Sequence, residues 1–214
     1  MLITGIIGCS SKENTANIIN SILSQNGEKI SIIELKELAE LGEKRVKSYL
    51  NELDKNETDI LIIKIGITDM DKYILEYLDF DVMIYNDKAD DLKGINIDEY
   101  TDLMRSIFAR LGEKGTAIVN ADSGELIQFI QGMKRYVVSY GFNPKASITA
   151  SSTGDILSEN GFLCCLQRTI SAKNGKLMEP QEYKINIENN KSDVYNLLAA
   201  ATFAIVNGID LNSV

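Results

Sequence analysis

Apolar residues arrive along this chain in two rhythms. Leu2, Ile3, Ile6 and Ile7 form a short β-branched run ending at Gly8, which predicts a buried strand. A polar stretch, Cys9 to Asn14, follows. Ile18, Ile19, Ile22 and Leu23 then recur at helical spacing, with Gly27 as the stop. Lys29 to Ile33 predicts a second strand. Val46, Tyr49, Leu50 and Leu53 sit at i, i+3, i+4 and i+7, the stripe of an amphipathic helix. Ile60 to Ile65 is almost wholly apolar, as a parallel strand buried on both faces requires. Val82–Tyr85, Thr116–Val119 and Tyr136–Ser139 read as further strands. Helical patterns separate them, Leu126, Ile127, Ile130 and Met133 among these. This alternation predicts a doubly wound α/β fold with a mostly parallel six-stranded sheet and helices on both faces.

After Gly141 the texture changes. Residues 146–152, 161–172 and 181–188 read as short strands with turns such as Asn174-Gly175, predicting a small antiparallel sheet beside the main one. Leu197, Leu198, Ala201 and Ile205 mark a closing helix that stops at Gly208. The two prolines, Pro144 and Pro180, both lie in this later part. The expected organisation is a single domain over 1–214: a parallel core over 1–141, an antiparallel annex over 142–190 and a closing helix over 191–214. Repeats and low-complexity segments are absent from the sequence.

Composition removes several chemistries. The chain of 214 residues has no histidine, so an imidazole-dependent triad, a Cys-His pair and a His-ligated zinc site are excluded within it. A net charge of −9 argues against a nucleic-acid surface. Cys9, Cys164 and Cys165 form no Cys-x-x-Cys pair, and adjacent Cys164 and Cys165 point to opposite faces of a strand. They read as reduced thiols of a cytoplasmic protein. No apolar run approaches the roughly 20 residues of a membrane span. The start, Met-Leu-Ile-Thr-Gly, lacks the charged region of a secretory signal.

The loop Gly5 to Thr15 joins the first strand to the first helix, where backbone N–H groups at a helix start favour anions. Gly8 and Lys12 fit a phosphate-binding P-loop, Gly-x-x-x-x-Gly-Lys-[Ser/Thr], whereas Ser11 replaces its second glycine and Glu13 its metal-binding hydroxyl. The bland reading is a polar loop with one solvated lysine. More of the chain bears on the choice. Ile6 to Ile19 resembles, without a gap, the ATP-binding segment of the Mur ligase central domain, with matches at Gly8, Lys12, Thr15, Ala16 and Asn17. Thr116 to Asp122 is similar to that family's strand ending in Asn-Ala-Asp, and Val138-Ser139-Tyr140-Gly141 to its next strand. Tyr195 to Asp210 resembles its closing helix. The resemblance implies a P-loop/Rossmann-like, Mur ligase central-domain fold. It implies ATP as ligand, with Gly8, Ser10, Ser11, Lys12, Thr15, Asn120, Asp122 and Asn196 as nucleotide-binding positions. The family's N-terminal UDP-substrate domain and C-terminal ligase domain are expected to be absent.

The same resemblance exposes departures. Mur ligases activate a carboxylate with ATP to an acyl phosphate that an amine attacks. The family places a magnesium-binding hydroxyl where this chain has Glu13 and a glutamate where it has Lys64. Asp91 stands in the histidine position of an Asp-His-Leu-Asp segment. Met104 stands where many members carry a carbamylated lysine, and Ser192-Asp193 replaces His-Asn. These degenerate metal-site positions, Glu13, Lys64, Asp91 and Met104, argue against Mg2+. Glu13 and Lys64 together suggest an ion pair in the metal's place, with independent drift of two solvated residues as the alternative. Asp87, Asp90 and Asp91 suit a hard cation or a solvated acidic loop. Asp122 suits an adenine site or a helix cap, and Asn196 a pocket wall or a helix start. Lys44, Arg45 and Lys47 read as a solvated helix face. Three functions follow as expectations: a degenerate nucleotide-binding or regulatory module beside cell-wall enzymes; an ATP-dependent acid–amine ligase subunit of peptidoglycan biosynthesis, completed by partner chains; or a ligand-free scaffold, including a homo-oligomer.

Overall fold

Parity along the strands divides the core of this protein into two layers. The computed structural model describes residues 1–9, 11–66, 72–86, 97–124, 134–151, 157–158, 161–185, 193–209 and 211. The expected helix around Leu126 to Met133 and the positions Ser10, Asp87, Asp90, Asp91 and Ser192 lie outside the described residues. The strands are β1 (Leu2–Ile7), β2 (Ile30–Glu34), β3 (Ile60–Ile65), β4 (Phe80–Tyr85), β5 (Leu111–Asn120), β6 (Tyr136–Tyr140), β7 (Ile148–Ala150), β8 (Leu157–Ser158), β9 (Gly161–Leu166), β10 (Ile170–Ser171), β11 (Leu177–Met178) and β12 (Gln181–Ile185). The helices are α1 (Ser11–Gln25), α2 (Leu35–Leu41), α3 (Glu43–Lys55), α4 (Lys72–Leu75), α5 (Ile97–Phe108) and α6 (Val194–Val206).

Ile6, Ile60, Ile62, Val82, Ile84, Ile118 and Val138 face one side, packed with α1 and α6. Ile7, Leu61, Ile63, Met83, Ala117 and Val119 face the other, packed with α2, α3, α4 and α5. Successive side chains of a strand alternate faces, so unbroken apolar runs such as Ile60–Ile63 feed both layers. Helix α6 is buried along nearly its whole length from Asn196 to Val206, which explains its lack of a polar face. The Asp193 carboxylate caps its start by accepting the Tyr195 N–H at 2.9 Å. Among the described residues, the buried Thr4 hydroxyl in β1 has no hydrogen-bond partner.

The main sheet runs in the order β12-β9-β7-β6-β5-β4-β1-β3-β2, with β8 added on β9. From β2 to β7 neighbouring strands are parallel. β9 and β12 continue the sheet antiparallel. Most strands of the annex therefore extend the main sheet, and the separate antiparallel sheet is the β10–β11 ribbon. Tyr183, Phe162 and Cys164 bury their side chains in the same layer as α6, so the extension shares the core instead of forming a second one. β1 lies between β3 and β4, and the chain order reverses there. A crevice outside the carboxyl ends of the strands at such a reversal is where open α/β sheets bind ligands.

Candidate functional site

The polar residues at this crevice follow from the same parity. Glu34 and Lys64 share the face of Ile32 and Ile62, toward α1, and pair in register as neighbours in β2 and β3. Above them stands the first turn of α1, with Lys12 and Glu13. The result is a chain of charges. The Lys64 ammonium donates to the Glu13 carboxylate. It also lies 3.1 Å from Glu34 Oε1, and Lys12 Nζ lies 3.8 Å from Glu34 Oε2. Lys64 is 12% exposed and Glu13 54%, so the pair is sealed on the lysine side and open on the glutamate side. Burial opposes the Lys64 ammonium, but the hydrogen bonds and charges of Glu13 and Glu34 outweigh it and raise the lysine pKa.

A second, neutral network lies beside the first and contains no free charge. Asn86, just past β4, donates through Nδ2 to Thr15 Oγ1 at 2.8 Å and to Asn196 Oδ1 at 2.7 Å. The Thr15 hydroxyl in turn lies 3.3 Å from Asn196 Oδ1. Tyr140 OH donates to Asn86 Oδ1 at 2.6 Å. Ser11 Oγ donates to the Asn86 carbonyl at 2.9 Å, tying the head of α1 to β4. Asn86, Thr15 and Tyr140 are fully buried. A hydrogen-bonded set of this kind fixes the relative positions of α1, α6, β4 and β6.

The expected nucleotide-binding residues thus fall into different roles. Ser11 and Lys12 lie at the head of α1, facing the crevice. The Gly8 N–H is used in pairing with Ile65 O at 3.3 Å. Thr15 and Asn196 are committed to the buried network, and Asp193, not Asn196, caps α6. Asn120 turns back to accept the Asp122 N–H at 3.0 Å. Asp122 accepts the Phe142 N–H at 2.6 Å, the Asn143 N–H at 2.8 Å and the Tyr195 hydroxyl at 3.1 Å. It clamps the 141–143 turn onto α6. A Cβ at Gly141, whose φ is 143°, would lie 2.6 Å from the Asp122 carboxylate, so this turn requires glycine. Burial, and then the Asp122 charge, raises the Tyr195 pKa. Met104 is fully buried in the apolar layer that holds Ile65 and Tyr85, on the sheet face opposite Lys64 and Glu34. Lys47 is exposed and pairs with Glu43 at 3.8 Å, consistent with a solvated helix face.

Two residues of the site lay outside the sequence expectations, Glu34 and Asn86. Glu34 had a signal, since strand ends aligned in parallel put it beside Lys64. Asn86 had only its place at a strand end.

A cavity of about 680 Å³ lies at the opposite, amino-terminal ends of the strands, lined by Asp81, Lys114, Thr116, Tyr136 and Lys173. Its polar groups are largely spent on the fold: Asp81 accepts the Ile3 N–H at 2.9 Å and Lys173 Nζ donates to Lys114 O at 3.1 Å. The crevice beside Lys12, at the reversal of strand order, is the better candidate. Among the described residues no cluster of three or more Cys, Asp or Glu could hold a metal ion, and no helix is long and apolar enough to cross a membrane.

This site, with a lysine at the head of the first helix beside the reversal of strand order, sits on a mostly parallel α/β sheet. The chain belongs to the Mur ligase middle domain family, whose profile matches residues 3–204. It is 22% identical to a UDP-N-acetylmuramoyl-L-alanyl-D-glutamate–2,6-diaminopimelate ligase of Bacillus cereus, over 98% of this chain and 44% of that protein. MurF from Acinetobacter baumannii has the same fold, with a TM-score of 0.66 and 16% identity over 99% of this chain and 44% of the other. A bifunctional folylpolyglutamate synthase/dihydrofolate synthase, solved with Mn, AMPPNP and L-glutamate bound, gives a TM-score of 0.62 and 12% identity over 98% of this chain and 54% of the other. At these identities the likeness of the solved structures is one of fold. The chain spans 44% of the length of the curated relative.

Proposed function

We propose that this domain is a weak nucleotide-binding or regulatory module built on the Mur ligase central fold, without the family's metal-dependent ligation. The observation that carries this reading is the state of Lys12. It stands at the head of α1, yet among the described residues its ammonium pairs with Glu34 alone, at 3.8 Å, beyond hydrogen-bonding range. At that distance the pair forms no hydrogen bond, and Glu34 keeps the Lys64 ammonium at 3.1 Å when Lys12 turns away. A phosphate can therefore displace Glu34 at little cost, and Lys12, the Ser11 hydroxyl and the first N–H groups of α1 would hold it. Glu13 opposes this. Its half-exposed carboxylate lies on the same turn and repels a polyphosphate. The balance is weak binding.

Adenine nucleotide is the ligand class, drawn from the relative solved with AMPPNP. The setting is cell-wall synthesis beside Mur-type ligases, drawn from the ligase of Bacillus cereus. Calorimetric titration of ATP, in EDTA and then in magnesium, tests the reading. Weak binding is expected, independent of magnesium, lost in Lys12→Ala and tightened in Glu13→Gln. A second reading is favoured by the match to that ligase over 98% of this chain: an ATP-dependent acid–amine ligase unit, completed by domains or partner chains that supply the acceptor. It requires tighter ATP binding in magnesium than in EDTA. No heat at millimolar ATP would leave a scaffold.

A further inference from the structure

Two carboxylates from different elements converge on one positive atom at the mouth of the crevice. Glu13 reaches it from the first turn of α1 and Glu34 from the end of β2, and the atom is Nζ of Lys64 at the end of β3. Oxygens from separate elements aimed at one point are the ligand pattern of a small hard cation. Here the point is filled by a covalently attached ammonium with a side chain 12% exposed. Lys12 completes the set at 3.8 Å from Glu34, so two acids face two bases and the cluster is neutral.

The fold family implies a metal ion near this place, and the residues do not fit one. Magnesium needs near-octahedral oxygen ligation at about 2.1 Å. Among the described residues, the two carboxylates that meet at this point already hold the Lys64 ammonium, and that ammonium would repel a divalent ion. We infer that Lys64 is the built-in cation of this site, and that the domain takes no divalent ion between Glu13 and Glu34. This deepens the proposed magnesium-independent reading of the crevice and adds the group responsible. It also makes a claim of its own: the cation site is latent, and removing the ammonium uncovers it.

The test contains no nucleotide, so it can fail or succeed separately from the proposed function. Manganese is titrated into the purified chain, with free Mn2+ followed by electron paramagnetic resonance, for the unaltered protein, Lys64→Ala and the triple variant Lys64→Ala/Glu13→Gln/Glu34→Gln. Circular dichroism checks that each is folded. The expected result is a gain of one Mn2+ site in Lys64→Ala, at least roughly tenfold tighter than any in the unaltered chain and lost again in the triple variant. Equal binding by the unaltered chain, no gain in folded Lys64→Ala, or a gain that survives in the triple variant would each overturn the inference. If Lys64→Ala does not fold, Lys64→Met keeps the apolar stem and takes its place. Amide resonances of Glu13 and Glu34 give a second readout. Broadening by Mn2+ in Lys64→Met alone supports the inference, and broadening in the unaltered chain refutes it.

Discussion

Replacing Asn86 by alanine removes the hub of the buried network and none of its arms. Asn86 Nδ2 serves Thr15 Oγ1 and Asn196 Oδ1, and its Oδ1 accepts from Tyr140 OH. In the variant the Tyr140 hydroxyl keeps the Tyr85 carbonyl at 3.1 Å as an alternative acceptor, and Thr15 keeps Asn196 at 3.3 Å. What is lost is the pair of donors from the amide. A buried polar group left unsatisfied costs about 1–3 kcal/mol, and a water entering the polar void recovers part of it. The expected destabilisation is therefore about 3 kcal/mol. For a chain of this length that lowers Tm by roughly 6–12 °C. Urea unfolding followed by circular dichroism measures the loss. A double-mutant cycle with Tyr140→Phe isolates the shared bond, where a coupling of about 1 kcal/mol is expected. A loss under about 1 kcal/mol for Asn86→Ala, or strict additivity in the cycle, would refute the claim that Asn86 organises this end of the sheet.

Thr4→Val removes the orphaned hydroxyl of β1 while keeping its shape, and should raise stability by about 1 kcal/mol in the same unfolding assay. Asp193→Ala removes the cap of α6 and should cost about 1 kcal/mol, with Asp193→Asn recovering most of it. Thiol titration with an aromatic disulfide should label exposed Cys9 first. Cys164, fully buried with its thiol pushed up to about 12 chiefly by desolvation, should react only on unfolding. Lys64 has a raised pKa in the fold, so its contribution is fully present below the unfolded lysine value of about 10.4 and disappears as pH rises through the higher folded value. The stability gap between the unaltered chain and Lys64→Met, measured by denaturant unfolding, should therefore be flat from neutral pH to about 10 and shrink above it.

Strands with their own apolar signal were legible in the sequence, and those defined by pairing alone were not. β1 and β3 are found nearly to the residue because burial of both faces makes them almost wholly apolar, Thr4 and Lys64 apart. β5 begins at Leu111, five positions before the apolar run, because Leu111 pairs with Phe80 ahead of a register shift and Gly112 to Gly115 between carry no hydrophobic pattern. Helix α2 was hidden between β2 and α3, since its buried face is only Leu35 and Leu38. Its start is stabilised by the Glu34 N–H donating to Glu37, a local signal that periodicity does not register. At the site, Lys12, Glu13 and Lys64 were visible as departures from a pattern. Glu34 and Asn86 were not, because each matters through a neighbour on another strand.

The charge cluster explains why Glu13 and Lys64 must be considered as one change. With a hydroxyl at 13 and Lys64 retained, the ammonium would still hold Glu34, and the turn above it would lose only its exposed carboxylate. With an acid at 64 and Glu13 retained, three carboxylates would face Lys12 alone, two of them in or near a part-buried strand end. Like charges at about 4 Å repel by about 4 kcal/mol at an effective dielectric of 20, which solvent at the open Glu13 side reduces. The first step is therefore tolerable and the second is not, unless a divalent ion arrives with it. A lysine at 64 removes that dependence: Lys12, Glu13, Glu34 and Lys64 balance in charge without any bound ion. On the proposed reading, Lys64→Glu combined with Glu13→Thr should therefore make stability depend on magnesium, measured as a rise in Tm on adding Mg2+ that the unaltered chain does not show.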